Sequence, residues 1–253
     1  MVQASAHLVP PHPAASRLAG APASFVLGGV AVPLRVRESA RARGLALRID
    51  AARSGVELVL PRRVSLAAGL RFLEARGDWV AARLAVLPAR IPFAPGAVVP
   101  ILGVAHRICH LGMRRGGAAR VVEIAEGEIR VYAAPDHLAR RVRDHLVEVA
   151  RGELARRARA QAERVGRRVA RVTVRDMTSR WGSCTATGSL AFCWRLILAP
   201  EPVLDYVVAH EVAHLVEMNH GPRFWRLVET LMPGSAGQRR WLSRNRDALM
   251  RFG

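Results

Sequence analysis

Residues 207–225 read VVAHEVAHLVEMNHGPRFW, so that His210, Glu211, His214, Glu217 and His220 stand among long apolar side chains. The spacing from His210 to His214 is i, i+4. On a helix this puts both imidazoles on one face, about one turn apart, where two ring nitrogens can reach one zinc ion at roughly 2.0–2.1 Å. Glu211 is turned about 100° from His210 around the helix axis. That takes its carboxylate off the ligand face, yet leaves it near enough to accept a proton from a water activated by the ion, as a general base must. The chemistry such a set serves is attack of the activated water on a polarised carbonyl. With 9 His and 13 Glu in 253 residues, the HExxH pattern arises by chance roughly 0.02 times per chain. The bland alternative is a core helix with satisfied histidines. The neighbours Val207, Val208, Ala209, Val212, Ala213, Leu215 and Val216 argue against it, because a Glu flanked by two His costs several kcal/mol to bury there without a partner.

A third ligand can come from Glu217 or His220. Glu217 continues the ligand face of a straight helix, but positions 210 and 217 are then about 10 Å apart along the axis, too far for one ion. His220 reaches the ion only if the chain turns back. Asn219 tolerates the left-handed conformation that ends helices, and HGP follows as a breaker. His220 is therefore the favoured ligand. Glu217 becomes a candidate for holding an imidazole N–H or facing the cleft; otherwise it is a solvated glutamate late in the helix.

The elements that must position these residues are legible upstream. FVLGGVAVPLRV carries a Gly28-Gly29 hairpin signal, and GLALRID and GVELVL alternate with period two. Ser65 is the expected N-cap of a helix running to Leu87. A second group of strands follows in PILGVAHRICHLG, ARVVEIA and EIRVYAA, and then a long helix after APDHL with an apolar stripe. Strand–Pro–helix thus occurs twice, as in a repeated module. RVTVRDMTSRWGSC and GSLAFCWRLILAP read as a hairpin turning at TATG. A helix opened by a Pro in its first turn should run from Pro202 to about Met218, and two shorter helices follow near 222–231 and 236–249.

The chain is long enough for one large or two small domains. Its net charge is +19 and all 39 basic residues are arginine, a field that attracts polyanions. Eleven arginines face four acidic residues between Arg140 and Arg171, either a phosphate-tracking surface or the solvated face of a long helix. Three cysteines give no disulfide framework, which fits a reducing, cytoplasmic compartment. No apolar run approaches the roughly 20 residues of a membrane helix, so no membrane partner is expected. The Ala- and Pro-rich start lacks a secretory pattern and reads as a flexible tail or as an early start.

SRWGSC, LAFCWRLILAP, YVVAHEVAHLVEMNHGPRFW and the later RRWL resemble the YgjP-like zinc metallopeptidases, relatives of the SprT-like group. The resemblance is densest over 174–242 and extends more loosely upstream. It implies one Zn2+ on His210, His214 and His220 with Glu211 catalytic, and a peptide or protein substrate. The expected fold is α+β: a tail over 1–23, a β-rich N-terminal region with helices over 24–135, and over 136–253 the long helix plus a zincin-like metallopeptidase domain with a hairpin or sheet and a metal-binding helix. The alternative reading is a basic, metal-containing, nucleic-acid-associated protein, including a protease of DNA-bound proteins.

Three further groups have two readings. The hairpin over 172–198 could pair with an extended peptide by strand addition, while Trp181, Phe192 and Trp194 are expected in the core. Arg180 could stabilise an oxyanion or form a salt bridge, and Tyr206 could bond a tetrahedral intermediate or simply pack. Cys184 and Cys193 read as buried thiols. His106 and His110, four apart on a strand, are separated by roughly 13 Å and do not read as a second metal site. Phe224 and Trp225 are expected to pack the segment after His220 onto the metal helix.

Overall fold

The computed structural model describes residues 18, 21–51, 53–113 and 121–253; most of the expected tail, 1–23, lies outside them. Strands β1 (Ser24–Leu27) and β2 (Val30–Ser39) pair antiparallel around Gly28 and Gly29, with φ of 56° and 81°. Both residues of a tight two-residue turn need positive φ, which glycine adopts without strain. Strands β3 (Ala46–Asp50) and β4 (Gly55–Pro61) pair antiparallel, and β4 also lies parallel to β2. The sheet order is β1-β2-β4-β3. Ser65 caps helix α1 (Leu66–Glu74), accepting a hydrogen bond from the Ala68 amide at 3.2 Å. The single helix expected from Ser65 to Leu87 is in fact two. Arg76 leaves helical geometry at φ −112°, ψ 17°, and α2 (Gly77–Ala85) starts afresh. Val32, Leu34, Val56, Leu58, Leu60, Leu73 and Val80 close a core of their own.

The chain divides into two compact units between Val86 and Leu87. The second unit opens with β5 (Val98–Ile101), β6 (Val104–His110), β7 (Val122–Ala125) and β8 (Glu128–Val131). Their order is β5-β6-β8-β7, with β6 parallel to β8 and the outer pairs antiparallel. This is the topology of the first sheet, strand for strand. The tight turn recurs too, at Leu102 and Gly103 with φ of 49° and 83°. Each sheet leads through a proline, Pro61 or Pro135, into a helix.

Helix α3 (Leu138–Arg164) is the spine of this unit. Leu138, Val142, Leu146, Ala150, Leu154, Ala158 and Ala162 are all buried, and their four-residue repeat keeps one stripe against the core. Strands β9 (Arg171–Arg175), β10 (Gly182–Cys184) and β11 (Ser189–Cys193) form a sheet of order β10-β11-β9. The expected hairpin is therefore β10–β11, turning through Thr185–Gly188, while β9 joins β11 on its other side in parallel. Residues Trp194–Leu198 coil into a 3₁₀ turn instead of extending the strand. Helices α4 (Glu201–Ala213), α5 (Pro222–Leu231), α6 (Ala236–Arg244) and α7 (Arg246–Met250) complete the chain. The result is an α+β fold.

Arg157 on α3 fixes the start of α4. Its guanidinium, 10% exposed, donates to Asp205 at 2.7 Å and to Glu201 at 2.6 Å. It also meets Glu153 on its own helix at 3.1 Å. Charge-assisted bonds of this kind are the strong ones, and they set the helix that carries the HExxH segment.

Candidate metal centre

Helix α4 is apolar on nearly every side, and Val203, Leu204, Val207, Val208, Ala209, Val212 and Ala213 are buried. His210 and His214 project together, their ring centroids 5.2 Å apart. The helix does not run to Met218 as expected; it ends at its C-cap, His214. Leu215 and Val216 donate to the carbonyls of Val212 and Ala213, three residues back, which is the tighter 3₁₀ spacing that often closes a helix. The chain then reverses, and Gly221 donates to the Asn219 carbonyl at 2.8 Å just before α5. The reversal needs no left-handed Asn219, because among the described residues only Ser54, Leu102 and Glu126 have positive φ without being glycine.

The reversal brings His220 back over the helix. Its Nε2 lies 3.1 Å from His210 Nε2, and one nitrogen from each of His210, His214 and His220 falls within 4.8 Å of the others. Two donors at 2.0–2.1 Å from a tetrahedral ion are separated by about 3.3 Å, so the spacing suits an ion between them. The tautomers suit it as well. His214 Nδ1 donates to the Glu217 carbonyl oxygen at 3.0 Å, which leaves Nε2 with its lone pair free. His210 Nδ1 is buried and has no hydrogen-bond partner among the described residues. Burial, helped by the neighbouring imidazoles and Arg239, depresses His210 to about 4. Burial likewise lowers His214. Both rings are neutral near pH 7, the state that binds metals. The donor set therefore fits one ion with three imidazole ligands.

Glu217 contributes to this arrangement through its main chain. Its carbonyl accepts the His214 imidazole N–H. Glu211 is 5% exposed, and burial raises its carboxyl to about 7, against the pull of Arg180. It lies against the backbone of β10, where a Cβ built on Gly182 would come within 2.5 Å of Glu211 Oε1. Glu211, His210 and Gly182 open onto a cavity of about 230 Å³ shared with Arg180, Trp181 and Tyr206. A larger cavity, about 730 Å³, lies along α3 and includes none of the three histidines; chemistry, not size, singles out the smaller one.

Phe224 packs this site from below. It is fully buried, stacks on His214 at 4.5 Å and meets His210 and His220 edge-on at 4.9 and 4.7 Å. Trp225 sits 5.9 Å from both His210 and His220, and the Arg239 guanidinium lies over its ring at 4.7 Å. The expected packing role of Phe224 and Trp225 agrees with this geometry. Tyr206 is buried, 6.0 Å edge-on from His210. Phe192 and Trp194 are in the core, and Trp181 packs on it partly buried. Cys193 is buried and Cys184 half-buried; burial and the Glu211 charge push the Cys184 thiol up to about 11.

Gly182 and Arg239 also belong to the site, and neither has a local sequence signal that places it there. Gly182 is one glycine inside RWGSC, and only the contact with Glu211, 29 residues later, marks it. Arg239 lies in RRWL with no local sign of its target. His106 and His110 lie on β6 as expected and bond the carbonyls of Val104 and Ala133. Five of the eleven arginines in the run have partners within the chain. Arg143, Arg151, Arg156 and Arg157 form ion pairs, and Arg164 donates to the Leu231 carbonyl. Among the described residues, no helix is long and apolar enough to cross a membrane.

The crystal structure of the metallopeptidase zymogen of Pyrococcus abyssi abylysin is similar to part of the chain. The match has 20% identity and a TM-score of 0.33, and covers 36% of this chain and 93% of that one. No curated protein matches. The family model described as the YgjP-like metallopeptidase domain matches residues 43–245. With its three converging imidazoles and adjacent carboxylate carried inside that span, the chain belongs to the YgjP-like metallopeptidase family.

Proposed function

We propose that the protein is a zinc-dependent peptidase in which His210, His214 and His220 hold one Zn2+ and Glu211 is the general base. In this reading residues 136–253 carry the catalytic residues. The observation that carries it is the convergence of three imidazole nitrogens within 4.8 Å, beside a buried carboxylate on the same helix. When bound, zinc supplies Lewis-acid polarisation of a carbonyl and lowers the pKa of a water.

The chain's own residues supply the rest. Glu211 takes a proton from the attacking water. The water oxygen bonds to the carbonyl carbon, the C–N bond breaks, and Glu211 passes the proton to the departing amine. Arg180 faces the same cavity and offers positive charge to the oxygen that becomes negative. Tyr206 forms its wall beside His210. Strand β10 is an edge of its sheet, and an extended peptide can align along it through backbone hydrogen bonds.

Metal analysis of the purified protein, with peptide-library cleavage by wild type and Glu211→Gln, tests the proposal. The expected result is about one zinc in both proteins and hydrolysis only in wild type. A protein with no stoichiometric metal after zinc loading overturns it.

A further inference from the structure

We propose that the cavity beside Glu211 is the specificity pocket of the enzyme, taking one uncharged, leucine- to phenylalanine-sized side chain and refusing lysine and arginine. This rests on the peptidase reading above and adds the class of substrate.

Size limits the occupant first. The cavity measures about 230 Å³. A cavity of about 150 Å³ suffices for a benzene ring, whereas sites for whole small-molecule ligands span about 300–1,000 Å³. The space therefore admits a single large side chain and little more. Its position assigns that side chain to a residue at the scissile bond, because His210 and Glu211 form part of the wall.

Chemistry limits it further. Trp181, Tyr206, Val207 and Leu242 line the cavity, and the last three are at most 7% exposed. This surface is built from carbon and firmly backed by the core. Its charged lining groups are Arg180 and Glu211. Arg180 is exposed and stands at the mouth with no ion pair or side-chain hydrogen bond among the described residues. A lysine or arginine entering would meet this guanidinium first. It would then lose its water, with the carboxylate proposed as the general base as its sole counter-charge, and burying a cation on such terms is costly. An apolar side chain meets neither obstacle and gains from the burial.

Cleavage of a peptide library by the zinc-loaded full chain reads the preference directly. At one position flanking the cut, Leu, Met and Phe should exceed Ala by about tenfold or more, within the range that apolar pockets achieve. Lys and Arg should be cleaved at least 100-fold less well than Phe. Leu242→Trp fills the pocket and should move the preference to Ala and Gly. Arg180→Glu, at an exposed position where folding is not at stake, should slow cleavage of every peptide by removing positive charge from the developing oxyanion, while the ratio of Lys to Phe cleavage should rise by about tenfold or more. A second arm needs no turnover: peptides differing only in Phe or Lys are titrated into full-length Glu211→Gln while tryptophan fluorescence is followed. The Phe peptide should bind at least tenfold tighter, and Leu242→Trp in that background should abolish the difference. A flat cleavage profile from an active enzyme overturns the pocket and leaves the peptidase reading standing. If no peptide is cleaved, the peptidase reading fails, and equal binding of the two peptides then rejects the pocket as well.

Discussion

Gly182 and Glu211 touch across the cleft with no room for a side chain between them: a Cβ at position 182 would lie 2.5 Å from Glu211 Oε1 and 2.6 Å from its Cγ. Real Cβ atoms do not approach this closely, so Gly182→Ala must push the carboxylate aside. The main chain at Gly182 has an ordinary, negative φ, and the reason for glycine there is the approach alone. We expect Gly182→Ala to retain about one zinc and to lose at least 100-fold in kcat/KM, the scale of displacing a general base. Metal analysis alongside peptide hydrolysis checks both parts.

His220 and Glu217 should separate cleanly. His220→Ala removes a proposed ligand, and zinc affinity should fall by well over 100-fold. Glu217→Ala keeps the backbone carbonyl that holds His214. Its affinity should therefore stay within about threefold of wild type, well short of the 10–100-fold typical when a ligand's hydrogen-bond partner is lost. Competition with a chromogenic chelator measures both.

Phe224→Ala opens a cavity under all three imidazoles. Truncating a buried phenylalanine costs about 3–5 kcal/mol, and chemical denaturation should show a loss of that size. The three rings also lose their shared wall. Zinc affinity should fall in the same variant, and added zinc should raise its Tm less than it raises that of wild type.

The Arg157 clamp predicts a dependence on acid. Arg156 and then Arg157 hold the Glu153 carboxyl below its ordinary value of 4.5, against the opposing effect of burial. A carboxylate depressed in the folded state adds stability above its unfolded pKa and loses it as pH falls through the folded one. Arg157→Ala should therefore lower stability by about 1–3 kcal/mol at pH 7, and the gap from wild type should narrow as pH falls below 4.5. Unfolding curves at pH 7, 5 and 3.5 test this. A gap that stays constant across them would contradict the clamp.

Chelation should abolish hydrolysis, and stoichiometric zinc should restore it. The Tm should rise with zinc concentration, because an ion that binds the folded chain alone stabilises it by mass action. Calorimetry with and without chelator reads the shift.

The sequence by itself determined whatever depends on neighbours along the chain. The four-residue spacing put His210 and His214 on one face, and Glu211 beside it, wherever the helix lay. The glycine pair at 28 and 29, the Ser65 cap and the stripe on α3 were legible for the same reason: each is set by contacts a few residues long. His220 was legible by elimination, since helix rise excluded Glu217. The tertiary structure decided where α4 stops, and it stops at His214, four residues before the expected end. Local propensity did not encode that stop, since the reversal is held by the packing of Phe224 beneath the rings and by a main-chain carbonyl on His214. The parallel pairing of β9 with β11, the glycine required at 182 and the placement of Arg239 over Trp225 were also decided there. Each joins residues 14 or more positions apart, where no spacing rule reaches and only the packed core chooses.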